Sequence, residues 1–130
     1  MANVDKKIAI TASILGALTI GIGAFGAHGL KELVDAQSVA SFETGVRYQM
    51  YHVLALLCLG LTGALSQATR TWVFRLFLLG ILLFSGSIYL LTLDEVLSFD
   101  ASVIVFITPL GGLLFIVGWL RLAYGVFTLK

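Results

Sequence analysis

The sequence predicts an all-α fold, an integral membrane four-helix bundle with a short interfacial segment between helices 1 and 2. Three observations predict it. The first is composition: 59% of the 130 residues are hydrophobic and 12% are charged, with a mean hydropathy of +1.04. A soluble domain is nearer half apolar and a quarter charged, and too little polar surface remains here to cover such a core in water. The second is pattern: the apolar residues form runs long enough to cross a ~30 Å hydrocarbon core at about 1.5 Å per residue. The third is continuity: with one proline and no low-complexity linker, residues 1–130 read as a single transmembrane domain with spans near 8–27, 51–68, 72–93 and 101–120.

The first element follows a polar leader, Met1–Lys7. Ile8–Ala27 is then 20 residues without a charge. A signal peptide is the rival reading, with Ala24-Phe25-Gly26 as its cleavage site. Signal h-regions run about 7–15 residues, and three more spans follow, so a retained helix is expected. Small residues occupy two of its faces, Ala12, Gly16, Gly23 and Ala27 on one and Ala17, Gly21, Ala24 and His28 on the other. In lipid, small residues let backbones approach closely, so this pattern predicts a central helix contacted from two sides.

Between the first two spans lie His28, Lys31, Glu32, Asp35, Glu43 and Arg47, with Lys31–Ala40 expected as a short interfacial helix. The second span, Tyr51–Ala68, leads into a tight loop carrying Arg70. The third, Trp72–Leu93, has Arg75 near its start, placed to snorkel. An acidic loop, Asp94–Asp100, precedes the fourth span, Ala101–Leu120, which Arg121 closes with Trp119 and Tyr124 at the interface. Topology follows from the cations. With the N-terminus inside, Lys6, Lys7, Arg70, Arg75, Arg121 and Lys130 are inside and Lys31 and Arg47 outside, six against two. The positive-inside rule then puts both termini in the cytoplasm.

That orientation gathers polar groups at one level. The candidate pocket, facing outward, comprises His28, Glu43, Arg47, Tyr48, Gln49, His52, Ser85, Ser87, Tyr89 and Thr108. Its centre is Phe42–His52, where ionisable groups press against an apolar run and need something to offset their cost. At 100° per residue, Tyr48, Gln49 and His52 share a face with Ala55, Leu56, Leu59 and Gly63, opposite Leu54, Leu57, Leu61 and Leu65. His52 is thus expected inside the bundle, bonded to Ser85, Ser87, Thr108 or His28. Glu43 and Arg47 form an i,i+4 pair in the favourable order on another face. Either the helix bends near Gly45 or the pair sits above the lipid, as an interfacial anchor or as part of a ligand site. Pro109 removes one helix hydrogen bond and frees the carbonyl of Val105, and beside Gly111 and Gly112 it predicts a kink lining a cavity.

Several function classes are disfavoured. A net charge of +1 gives no basic stripe for nucleic acid. The lone Cys58 excludes an intrachain disulfide or multi-cysteine metal site, and two histidines without clustered ligands argue weakly for a metal. Gly21-Ile-Gly23-Ala-Phe-Gly26 matches a dinucleotide fingerprint, but that motif works between a strand and a helix, whereas here it ends an uncharged span. Ser85 lacks an oriented base. The expectation is a protein without enzymatic activity, metal or cofactor.

Four motifs, Gly23-Ala-Phe-Gly-Ala-His28, Thr44-Gly45-x-x-Tyr48-Gln49-x-x-His52, Phe84-Ser-Gly-Ser-x-Tyr89 and Thr108-Pro-x-Gly-Gly112, occur in order over nearly the whole chain. Together they resemble the YgdD/YwdK-like family of small four-helix proteins of bacterial inner membranes. The resemblance implies location and topology and carries no activity, substrate or cofactor. The expected function is to bind a lipid headgroup or small ligand, or to dock a partner, in the outer pocket. The alternatives are an oligomeric carrier or channel for protons or a small solute, or an accessory subunit of a larger inner-membrane complex. The partners expected are the bilayer, a bound lipid, and a second copy or a larger membrane complex.

Overall fold

The computed structural model describes residues 3–97, 100 and 102–130. Helix α1 is Lys6–Ala27, opened by the Asp5 carboxylate, which accepts the N–H of Ile8. A 3-10 turn, Leu30–Glu32, is pinned by the fully buried Leu30 against Val39 and Phe42. It supplies the expected short segment between the first two helices. Helix α2 then runs Ala36–Leu61 without interruption.

The start of α2 corrects the sequence reading, which began this helix at Tyr51 and placed a separate polar helix before it. Asp35 is the reason: its carboxylate accepts the N–H of Ser38 at 2.8 Å, satisfying one of the four orphan donors of a helix start. Polar residues then continue the same helix. Gly45 introduces no bend; a Cβ there would stand 2.9 Å from the ring of Tyr89, so glycine serves close approach. The end of α2 also comes earlier than expected, at Leu61. Ser66 caps α3 (Gln67–Gly80) by accepting the N–H of Thr69, which puts Arg70 on a helix rather than in a loop.

From α3 the chain passes through a π turn, Ile81–Ser85, into α4 (Gly86–Leu97), making one long rod. The π turn has a geometric use. Val73, Phe77, Ile81, Ser85 and Tyr89 are spaced four apart, and on an α-helix such steps drift by about 40° each, about 160° in all. A π turn absorbs one extra residue and takes back about 100°, so Phe77, Ser85 and Tyr89 all reach α2. A 3-10 turn, Ile104–Phe106, leads into α5, Ile107–Phe127. Pro109 is the third residue of α5, where its missing N–H would be unpaired anyway. The expected mid-helix kink is therefore absent. The expected start of the fourth span at Ala101, and Ser98 and Phe99 of the acidic connection, lie outside the described residues.

Three of these helical stretches, Lys6–Glu32, Gln67–Asp94 and Ile104–Phe127, are long and apolar enough to cross a membrane. Helix α2 has the length, at 26 residues, but a polar first half. The bundle is flattened. Helix α1 lies along α2, with the Asp5 N–H on the Gly60 carbonyl at 2.8 Å and Gly16, Gly23 and Gly26 facing Val53, Val46 and Phe42. Helix α5 lies along the α3–α4 rod, where a Cβ on Gly111 would meet the Phe84 backbone nitrogen at 2.3 Å. Helix α2 and the rod share the short diagonal, filled by Leu56, Val73 and Phe77. Outward, Ile10, Ile14, Leu18, Leu82, Leu113 and Ile116 are exposed, the surface of a protein solvated by lipid.

Helix α1 is thus peripheral, where two small-residue faces had predicted a central helix. Its Ala12 side packs on α2. Ala17, Gly21, Ala24 and His28 are exposed, and a Cβ on Gly21 would meet nothing within 4 Å.

Candidate functional site

The candidate residues occupy several distinct places. The first is a buried chain across three helices. Tyr89 donates its hydroxyl to Oε1 of Gln49 at 2.6 Å. Gln49 donates through Nε2 to Oγ1 of Thr19 at 2.7 Å, and Thr19 donates to the carbonyl of Leu15 at 2.6 Å. Each group is oriented by the next, so the amide has one satisfied orientation. Thr19, 1% exposed, is a member that sequence reasoning missed. The signal was present, since Thr19 lies between Gly16 and Gly23 on the face that meets α2.

The second place is an aromatic box around His52. The imidazole stacks on Phe115 with centroids 3.6 Å apart and planes at 9°, and Phe77 meets it edge-on. Trp119 donates its indole N–H to Nε2 at 3.0 Å, and Nδ1 lies 2.7 Å from the Tyr48 carbonyl. Indole is donor only and carbonyl is acceptor only, so these partners select the neutral tautomer protonated at Nδ1. His52 points inward as the helical wheel predicts, at 4% exposure. Its partners are not Ser85, Ser87, Thr108 or His28. Once α2 begins at Ala36, His52 lies beyond the helix midpoint, toward Leu61, beside the middle of α5.

The hydroxyls pair elsewhere. Ser85, fully buried, donates to the Gly45 carbonyl at 2.7 Å. Ser87 donates to the Phe84 carbonyl and shares a short hydrogen bond with Thr108. Thr108 also lines a groove of about 490 Å³ between α2, α4 and the start of α5, with Ser38, Ser41, Thr44 and Thr92 and an apolar wall that includes Ile88, Leu91 and Pro109. The His28 imidazole, exposed at the end of α1, hydrogen-bonds through Nδ1 to the Ala24 carbonyl. Tyr48 is half-exposed, its ring against Phe84 and Tyr51. Glu43 and Arg47 are exposed, and neither has a hydrogen-bond or ion-pair partner among the described residues. The structure therefore joins Gln49 to Tyr89 and Ser87 to Thr108, and leaves His28, Glu43 and Arg47 outside every cluster.

At the end of the bundle where α1 begins and α5 ends is a cluster the sequence did not announce. Arg70, 6% exposed, donates from Nη1 to the carbonyls of Asn3 at 2.6 Å and Thr62 at 3.0 Å. Its Nη2 donates to Oε1 of Gln67 at 3.1 Å, while Nε is buried and unpartnered among the described residues. Gln67 in turn donates to Oδ2 of Asp5 at 2.9 Å. That bond, with the Ile8 N–H and the nearby Arg70 charge, holds the Asp5 carboxyl below the usual carboxylate range. The arrangement ties the N-terminal segment and the α2–α3 connection to α3.

Comparison with known proteins agrees with this architecture. Residues 22–112 match the family described as "Protein of unknown function (DUF423)". A Haemophilus influenzae "UPF0382 membrane protein" is 41% identical over 126 residues, covering 96% of this chain and 97% of that one. The "UPF0382 inner membrane protein YgdD" of Escherichia coli is 38% identical over 129 residues, 97% of this chain and 93% of the other. The Bacillus subtilis "UPF0382 membrane protein YwdK" is 38% identical over 122 residues, 90% and 93% respectively. No solved structure matches. A chain with these four helices, this membrane-facing surface and these relatives belongs to the YgdD/YwdK family of membrane proteins, DUF423.

Proposed function

We propose that this is a non-enzymatic, multi-pass protein of the bacterial inner membrane, with both termini cytoplasmic, that holds a lipid headgroup or small amphiphile in its hydroxyl-lined groove. The observation that carries the reading is the groove between α2, α4 and α5, where hydroxyl side chains from three helices line one cleft against an apolar wall. That mixture suits a molecule with a polar head and a hydrocarbon body. Thr44 and Thr92 spend their protons on the carbonyls of Ala40 and Ile88, so they offer acceptors to a ligand. The groove is therefore suited to a donor-bearing head, an ammonium or a hydroxyl. The filled centre of the bundle supports binding over conduction by a single chain.

The test is native mass spectrometry of protein extracted from its own membrane in mild detergent. A retained lipid or amphiphile, lost in Ser41→Phe, supports the reading, since Ser41 is exposed and a ring there fills the groove without touching the core. A wild type that retains nothing, or a variant that retains the same adduct, overturns it. Orientation is tested separately: in a Cys58→Ala background, Asp35→Cys should react with an impermeant thiol reagent from outside and Ala64→Cys from the cytoplasm.

A further inference from the structure

We propose that the outward face of α2 is the contact surface of a homodimer, with Glu43 of one copy paired to Arg47 of the other and the reverse. This inference stands apart from the groove, which lies on another side of α2.

The face is read from exposure. Glu43, Arg47, Tyr51, Leu54 and Leu61 are all exposed and fall on one stripe at helical spacing, bordered on one side by Cys58, which lines a cleft with Trp119 and Leu122 of α5. Its depth is set by α1. Gly23 faces Val46 and Gly26 faces Phe42, so Arg47 lies beside the last turns of the uncharged run Ile8–Ala27, within it rather than beyond it. The lower part of the stripe is apolar and suits lipid. The upper part presents a carboxylate and a guanidinium, neither with a partner among the described residues. Charges at that depth are costly and are found paired or facing protein.

The pattern of the two charges identifies the occupant. An acid and a base one turn apart on one face are complementary to the same pair on a second copy, and a two-fold axis along the membrane normal makes such a contact isologous. Helix side chains lean toward the N-terminus, so the long Arg47 side chain rises from its own turn toward the level of Glu43 on the facing helix. An unrelated partner would need to supply a matching pair at the same depth. A second copy has it already.

The experiment is oxidative cross-linking in native membranes. In a Cys58→Ala background, Tyr51→Cys should give a species of twice the 14.0 kDa chain mass, while Ile14→Cys on the exposed side of α1 should not. Adding Arg47→Glu should reduce the cross-link at least tenfold, because like charges then face each other. The exchanged pair Glu43→Arg with Arg47→Glu should restore it. Restoration also shows that loss in the single variant was not misfolding. Absence of the Tyr51→Cys cross-link, equal cross-linking from Ile14→Cys, or failure of the exchanged pair to recover would each overturn the proposal. So would a cross-linked band that contains a different protein.

Discussion

Trp119 gives its only polar hydrogen to Nε2 of His52 across 3.0 Å, and by doing so assigns the proton of the imidazole to the other nitrogen, which the Tyr48 carbonyl receives at 2.7 Å. Both ring nitrogens are thereby satisfied in a site walled by Phe77 and Phe115.

Trp119→Phe keeps most of the packing and leaves Nε2 buried without a donor. Such a loss costs about 1–3 kcal/mol. His52→Ala removes both bonds and the stacked ring, and should cost more, in the ~3–5 kcal/mol range of large aromatic truncations. Thermal unfolding in detergent measures both. Nitrogen-15 spectra should show Nδ1 protonated and Nε2 bare; the opposite tautomer would contradict the Trp119 bond.

The Tyr89–Gln49–Thr19 chain should behave as one unit. Thr19→Val preserves shape and leaves the Gln49 amide one acceptor short, and Tyr89→Phe leaves its Oε1 without this donor. Each change should destabilise by about 1–3 kcal/mol. A double-mutant cycle should show coupling, because members of one hydrogen-bond network interact. Strict additivity of the two changes would mean that Gln49 does not connect them.

Glycine positions should divide sharply. Gly111→Ala drives a methyl to 2.3 Å from the Phe84 nitrogen, backbone that cannot step aside, so poor expression or loss of the folded form is expected. Gly21→Ala, with nothing within 4 Å, should be neutral or stabilise by roughly 0.5–1 kcal/mol through helix propensity. Similar unfolding temperatures for both variants would contradict the α5–rod contact.

Asp5 gives stability a pH dependence at the acid edge. Its folded carboxyl is held below the usual range, chiefly by the Gln67 side chain and then by the Ile8 N–H. A group with a lowered folded pKa contributes stability that is complete above its unfolded value, near 4, and is lost as pH falls through the folded value. Unfolding temperature should therefore be flat through neutral pH in this respect and decline below about pH 4. Asp5→Asn should flatten that decline, and a decline equal in both proteins would show that other carboxyls carry it.

The fold was legible because its signals were redundant: uncharged runs, small residues and terminal cations all pointed to a four-helix membrane protein. The inward direction of His52 was legible too, since a helical wheel depends on local spacing alone. Its partners were not, because partners depend on where each helix starts. The Asp35 cap extends α2 well past the apolar boundary, and that moved His52 away from Ser85 and Ser87 and beside Trp119. Arg70 was misread for a related reason. A charge near a membrane edge looks like a loop residue, and only the Asn3 and Thr62 carbonyls, from segments distant or separate in sequence, explain its burial. The role of α1 failed because small residues permit close contact without requiring it.

The π turn at Ile81–Ser85 makes the α3–α4 rod unequally sensitive to changes in length. A chain with one of those five residues removed would close that stretch as ordinary α-helix. Because the turn holds one residue more than the helix needs, everything after it would keep its direction, with Tyr89 still toward Gln49 and Ser87 still toward Thr108. A single residue inserted into the uninterrupted stretch before the turn is different. It would swing everything after it by about 100°, and no repacking of individual side chains could bring those pairs back together. The polar contacts at the far end of the molecule thus depend on a count of residues kept several turns away, with one deletion inside the turn as the change the rod can absorb.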